Sequence, residues 1–273
     1  MDKRITNREF KLLLDPKGLD RRSRVAELSS LLTGFCEKTN VGFTHLDNAH
    51  TGLRNIVFYD TPDQHLRANN LILRVREPRQ DVWIDDWCEV TFKCRANGKK
   101  EAEKFDPTPT TDHRHRMRFK EEILRGEKLG TTRTIYSNNA ILDVVPVDNA
   151  FDQTFEGIGH LFPCTRSLDV AKGSPIEIVG GHTNTILEAC LPLGNLTFGE
   201  GVQAHFELAI WMRSVGEPIV GELAFAYRVN KENRDNDAAH KRADKFYSAL
   251  QLAIPSWLAT GSTKTALVYG KPE

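Results

Sequence analysis

Apolar and charged residues alternate along this chain in short bursts. The sharpest burst is Leu71–Arg76: Leu71, Leu73 and Val75 fall on one face of a strand, and Ile72, Arg74 and Arg76 on the other. An apolar run, Ile56–Tyr59, precedes it, and Asp60-Thr61-Pro62-Asp63 breaks the two apart. The same period of two marks Arg8–Leu14, where Phe10 and Leu12 oppose Asn7, Glu9 and Lys11. It marks Glu89–Arg95, where Val90, Phe92 and Cys94 oppose Glu89, Thr91, Lys93 and Arg95. In His115–Leu124 it is less clean, with Arg118, Lys120 and Glu122 sharing a parity. Ala204–Arg213 and Glu222–Val229 predict a hairpin around Ser214–Gly221. Its first arm puts Glu207 and Trp211 opposite Phe206, Leu208 and Ile210, and its second puts Glu222, Ala224, Ala226 and Arg228 opposite Leu223, Phe225 and Tyr227.

Helical spacing appears twice. Arg22–Lys38 carries Val25, Leu28, Leu31, Leu32 and Phe35 on one stripe, and Asp237–Ala253 carries Ala239, Ala243, Phe246 and Leu250. Ala96–Asp112, polar with Asn97-Gly98 and two prolines, predicts a loop. In the middle, Lys128–Ala140 and Val147–Phe162 are expected as helices covering the sheet, with strands near Pro163–Val170 and Pro175–Val179. Ile186–Leu191, Leu196–Phe198 and Thr265–Tyr269 predict short strands. The whole chain, 1–273, is expected as a single domain with an unassigned helical or insertion segment at about 125–185.

Arg74 and Arg76 point the same way, about 7 Å apart at the usual rise per residue. Like charges so close are unfavourable unless an anion sits between them. An antiparallel sheet with one wet face would give the same alternation. Two features weigh against that plainer reading. Arg and Lys stack at two-residue spacing within strands while Glu gathers mainly on others, and there is enough amphipathic helix to cover the apolar faces. A sheet curled with its charged faces inward encloses a polar tunnel, whose charges must meet each other, water, a metal or a highly charged ligand.

Composition narrows the partners. With 40% apolar and 27% charged residues, the chain can bury a core. Zero net charge argues against a general nucleic-acid surface, so any basic character is local. Five cysteines without a CxxC pair suit reduced thiols in a cytoplasmic protein, and Cys88 and Cys94 lie on the apolar parity of their strand. Neither an N-terminal signal core nor a membrane-length apolar run is present in the sequence. Asp112-His113-Arg114-His115 offers an H-x-H without further ligands at matching spacing and is expected as a solvated loop. Gly261-Ser262-Thr263-Lys264-Thr265 lacks the frame of a phosphate loop and is expected as a turn.

Taken together and in order, E-x-K in the first strand, F-Y-D-T-P, L-R, L-R-V-R, T-F-K and the late E-L-x-F resemble the CYTH superfamily, the triphosphate tunnel metalloenzymes. These include thiamine triphosphatases, inorganic triphosphatases and class IV adenylate cyclases. The match covers Asn7–Lys11, Val57–Arg76 and Glu89–Lys93 best, Phe206–Arg228 fairly, and is not discernible across about 125–185. The resemblance implies an α+β fold: an antiparallel β-barrel of about eight strands with covering helices, enclosing a tunnel. It implies that Lys11, Arg74, Arg76 and Lys93, joined by Arg118 and Arg228, bind phosphate oxygens. Glu9, Glu207 and Glu222 would hold Mg²⁺ or Mn²⁺, and Glu9, Lys11 and Glu122 would serve catalysis. Arg67 would support the turn and Asp60 would cap it.

The expected activity is metal-dependent hydrolysis of a linear triphosphate: inorganic triphosphate, thiamine triphosphate or a nucleoside triphosphate. Two alternatives stand beside it, a triphosphate-binding module without turnover and a class IV-like adenylate cyclase. The chain also departs from the family pattern. Asn7 stands where the first strand usually has Glu, Ala224 where the late strand has its second Glu, and Trp211 where the hairpin arm has Asp.

Overall fold

The computed structural model describes residues 3–46, 50–146, 151–199, 201–259 and 263–270. In chain order the strands are β1 Asn7–Leu14, β2 Gly42–His45, β3 Gly52–Asp60, β4 Leu71–Gln80, β5 Trp83–Ile84 and β6 Trp87–Ala96. They continue with β7 His115–Arg125, β8 Thr132–Pro146, β9 Glu177–Ile178, β10 Ile186–Gly199, β11 Val202–Met212 and β12 Pro218–Arg228. The helices are α1 Arg22–Lys38, α2 His65–Ala68, α3 Lys99–Lys104, α4 Phe155–Leu161, α5 Asp237–Ala253 and α6 Lys264–Tyr269.

Nine of the strands close a ring in the order β10, β11, β12, β1, β7, β8, β6, β4, β3, and β3 returns to β10 through pairs such as Ile56 with Ile186. Every neighbour pair in the ring is antiparallel except β1 with β7. The α+β class and the tunnel-like sheet therefore stand as expected, with nine strands where about eight were expected. Closure fixes which face is inside, because a one-residue slip would exchange the two sets of side chains. Leu71, Leu73 and Val75 are buried on the outside with Val90, Phe92, Ile158 and Phe162, beneath α4. Phe10, Leu12, Phe206, Leu223 and Phe225 are buried on the other flank beneath α1 and α5. The inward positions of the same strands carry the charges.

Local chemistry sets the helices. Thr154 caps α4 by accepting from the Gly157 amide at 3.0 Å, and Asn236 caps α5 by accepting from Ala239 at 3.1 Å. Asp60 caps α2: its carboxylate accepts from the amides of Thr61, Leu66 and Arg67 at 2.8–3.0 Å. Gly194 sits at the bulge where β2 and β11 both meet β10, and a Cβ there would lie 2.3 Å from the Thr44 carbonyl oxygen.

Several expectations are corrected. Thr132–Ala140 belongs to the long strand β8 rather than to a helix, so the middle of the chain supplies a wall of the ring. Of Val147–Phe162, only Phe155–Leu161 is α-helical among the described residues, and 147–150 lie outside them. Pro163–Ser167 is a 3₁₀ turn instead of a strand, and the expected loop Ala96–Asp112 contains α3. Ile186–Gly199 is one continuous strand. Lys264–Tyr269 is helical because Thr263 accepts from the Ala266 amide at 3.4 Å and Val268 and Tyr269 bury themselves on Phe58, Trp211 and Val220. No helix is long and apolar enough to cross a membrane among the described residues. All five cysteines are free, and burial raises the Cys88 and Cys94 thiols to about 11.

Candidate functional site

Inward side chains from the ring line a cavity of about 430 Å³, a size suited to a small ligand. Twelve Lys and Arg side chains face seven carboxylates around it. All of the site residues expected from the sequence line it except Arg228, which is exposed at the end of β12. Arg228 is therefore removed from the binding set. Its charge is still felt by Arg118, which burial, Arg116 and Arg228 together hold below the ordinary arginine range.

The lining sorts into three groups. The first centres on Glu122, fully buried on β7, which receives Lys11 at 3.3 Å, Arg95 at 3.3 Å, the Ser137 hydroxyl at 2.6 Å, and Lys93. Neighbouring Glu9 is engaged by Lys11 and Lys120, each at 3.1 Å. Burial would push Glu122 up, but Lys11, Lys93 and Arg95 hold it well below the usual carboxylate range. Glu9 is likewise held down, against its burial, by Lys11 and Lys120. Four cations thus surround two carboxylates. The surplus of positive charge falls on Lys93, which burial and Arg95 push well below the ordinary lysine range despite its contact with Glu122.

The second group is β4 and its neighbours. Arg76 donates to Glu89 at 2.7 Å, and Glu89 also receives Arg116 at 3.3 Å. Burial would raise Glu89, yet Arg76 and Arg74 bring it down to about 2. Arg74 itself donates only to the Thr91 hydroxyl, at 3.4 Å, and makes no ion pair among the described residues. Its Nε is buried without a hydrogen-bond partner. Burial and the charge of Arg76 bring Arg74 down to about 9. A guanidinium keeps its proton in proteins, so Arg74 stays charged in a site where burial first, and the charge of Arg76 second, disfavour that charge.

The third group is acidic. Glu188 on β10 is buried, paired with Arg54 at 2.5 Å and receiving the Trp211 indole N–H at 2.5 Å. Glu222 on β12 meets Lys264 of α6 at 2.8 Å, and the same ammonium lies 3.6 Å from Glu188. Among the described residues Glu207 has only His205, at 3.8 Å. Burial and the nearby charges of Glu188 and Glu222 raise it.

The residues expected to hold a divalent metal do not fit that task. Glu9, Glu207 and Glu222 belong to two different groups, and Glu9 and Glu222 already carry lysine partners. Among the described residues, no three carboxylate, His or Cys side chains come together as an ion-holding set. The exposed His113 and His115 stay outside the cavity.

Sequence reading overlooked Arg54, Glu188 and Lys264. The first two would have followed from extending the period of two upstream of Ile56 and across β10. Lys264 enters from a helix and leaves no strand signal. Arg95, Lys120 and Glu89 were visible on polar faces without a role, and Arg116 shares the parity of Arg118 but was not singled out. Lys264 also corrects the expectation of a turn at 261–265, of which 261 and 262 lie outside the described residues. Asp60 and Arg67 perform the turn-supporting roles expected of them: Asp60 caps α2 and accepts from the Tyr269 hydroxyl at 3.2 Å, and Arg67 lies 4.6 Å over the Tyr269 ring.

No family model and no curated protein matches the chain. Among solved structures, it is similar to an adenylyl cyclase candidate from Hippeastrum described as having a dominant triphosphatase activity. Identity is 14%, coverage 98% of this chain and 97% of the other, and the TM-score 0.47. It is also similar to adenylate cyclase candidates from Bacillus halodurans and Vibrio parahaemolyticus. Both are 12% identical, over 98% and 97% of this chain and 98% and 99% of theirs, with TM-scores of 0.41 and 0.40. At that identity and TM-score the likeness does not fix what the tunnel does.

Proposed function

We propose that the ring binds a linear triphosphate, free or as the tail of a larger molecule. One observation carries this reading: Arg74, held inside a cavity beside Arg76, makes no ion pair among the described residues and its Nε is buried without a hydrogen-bond partner. A bound polyanion would supply a counter-charge. Phosphate oxygens would take the outward N–H groups of Arg74 and Arg76 bidentately, while Lys11 and Lys93 would act as point charges on the adjoining phosphates. Arg118 extends the same positive wall.

Titration calorimetry with sodium tripolyphosphate tests it. The protein binds, and Arg74→Ala weakens binding by about 10–100-fold, the loss expected for a charge-assisted contact. Failure of the unaltered protein to bind tripolyphosphate, thiamine triphosphate or ATP removes the proposal.

A second reading adds hydrolysis of a terminal phosphoanhydride, and Glu207 favours it. Among the described residues Glu207 is the cavity carboxylate of the expected metal set without a Lys or Arg partner, and its raised proton affinity suits a general base. It would take a proton from water while the cationic wall stabilises charge on the phosphates. Phosphate release from tripolyphosphate that disappears in Glu207→Gln supports turnover. Tight binding without product leaves the tunnel as a binding module.

A further inference from the structure

The acidic corner of the cavity contains its own cation. Lys264 of α6 places its ammonium 2.8 Å from Glu222 and 3.6 Å from Glu188, and 4.5 Å over the Trp211 ring. Its side chain is 14% exposed, so the charge is committed to the interior. With Arg54 on Glu188, two cations answer Glu188 and Glu222, while Glu207 of the same group has His205 at 3.8 Å.

The ring fixes this lysine through the helix that carries it. Val268 and Tyr269 are buried against Phe58, Trp211 and Val220. The Asn184 amide donates to the Val268 carbonyl at 2.9 Å, and the Tyr269 hydroxyl donates to Asp60 at 3.2 Å. The ammonium is therefore delivered by a docked helix, and withdrawing it would leave Glu222 without its counter-charge.

Resting on the triphosphate reading, we propose that Lys264 is the resident counter-cation of the Glu188–Glu222 corner and takes the place of a divalent metal. The tunnel then accepts its polyanion metal-free. Mg²⁺ and Mn²⁺ need several oxygen ligands in regular geometry. Of the carboxylates that would supply them, Glu9, Glu188 and Glu222 already face lysine or arginine, which leaves Glu207 alone without such a partner among the described residues.

Two measurements on the full chain test this. In calorimetry, tripolyphosphate binds with the same affinity, within about twofold, after chelator treatment as before. In a Mn²⁺ titration of the protein alone, followed by electron paramagnetic resonance, the unaltered protein holds no Mn²⁺. Lys264→Met keeps the aliphatic stem on Trp211 while removing the charge, and it gains Mn²⁺ affinity by at least about tenfold. Lys264→Arg keeps the charge and stays silent, which separates loss of the cation from loss of the helix.

Tripolyphosphate binding that collapses in chelator overturns the inference and leaves the triphosphate reading intact. So does Mn²⁺ bound tightly by the unaltered protein, or a folded Lys264→Met variant that gains none. Absence of tripolyphosphate binding under every condition overturns both.

Discussion

Two parts of the same cavity treat charge in opposite ways. On β10 and β12, Glu188 and Glu222 are each given a cation by the fold, from Arg54 and Lys264. On β4, Arg74 makes no ion pair among the described residues, although its neighbour Arg76 has Glu89. Both parts are enclosed, so solvent does not explain the difference. A fold that can pair Glu188 has the means to pair Arg74. On the proposed reading, the unpaired guanidinium is where the polyanion would sit, and Lys264 is the cation the protein itself supplies to Glu222.

The largest disturbance comes from Glu122, which holds the cationic group together. Glu122→Gln leaves Lys11, Lys93 and Arg95 facing each other around a neutral amide, and destabilisation of about 3–5 kcal/mol is expected. Denaturant melts measure it, and tripolyphosphate restores much of the loss if the anion replaces the missing charge. Arg74→Met acts the other way on the free protein. Removing an unanswered guanidinium raises the midpoint of thermal unfolding, by roughly 2–4 °C for each 1 kcal/mol relieved, while tripolyphosphate binding falls. A lower midpoint would mean that Arg74 is not strained.

Lys93 gives a pH test. Its proton affinity in the free protein is depressed below the ordinary 10.5, so the unfolded chain binds more protons there across that window. Stability contributed by Lys93 therefore rises with pH through the window and is lost as pH falls. A bound polyanion restores the lysine's proton, so binding takes up a proton in the same window and weakens as pH rises through it. Calorimetry in buffers of different ionisation enthalpy reads that proton directly. The smallest contrast lies at the rim. Arg118→Ala lowers affinity by about tenfold, whereas Arg228→Ala, exposed and off the cavity, changes it by no more than about twofold.

Alternation made β1, β4, β6, β11 and β12 legible, and with them Glu9, Lys11, Arg74, Arg76, Lys93 and Glu222. It failed on β8 for a physical reason. Asn138 and Asn139 are both buried, one donating to the Phe105 carbonyl outside and the other to the Arg118 carbonyl inside, so the two faces read alike. It failed on α6 because Thr265–Tyr269 is β-branched and aromatic in composition, while the Thr263 cap and docking on Trp211 decide for helix. The acidic corner was half visible: Glu207 and Glu222 followed from parity, and Glu188 lay within reach of the same period, but Lys264 depends on contacts between residues far apart in the chain.

The placement of β1 has a consequence for how the molecule is made. β1 is the first strand of the chain, yet it pairs with the last, Asn7 opposite Arg228, as well as with β7. The ring cannot close until more than two hundred residues have been joined, and such distant pairing is slow to form. Until then Lys11 and Glu9 have no cavity to face. A polyanion that recognises only the finished ring has nothing to hold during folding, so its effect falls on the rate of opening: folding proceeds at its own pace, and the bound ring lives longer.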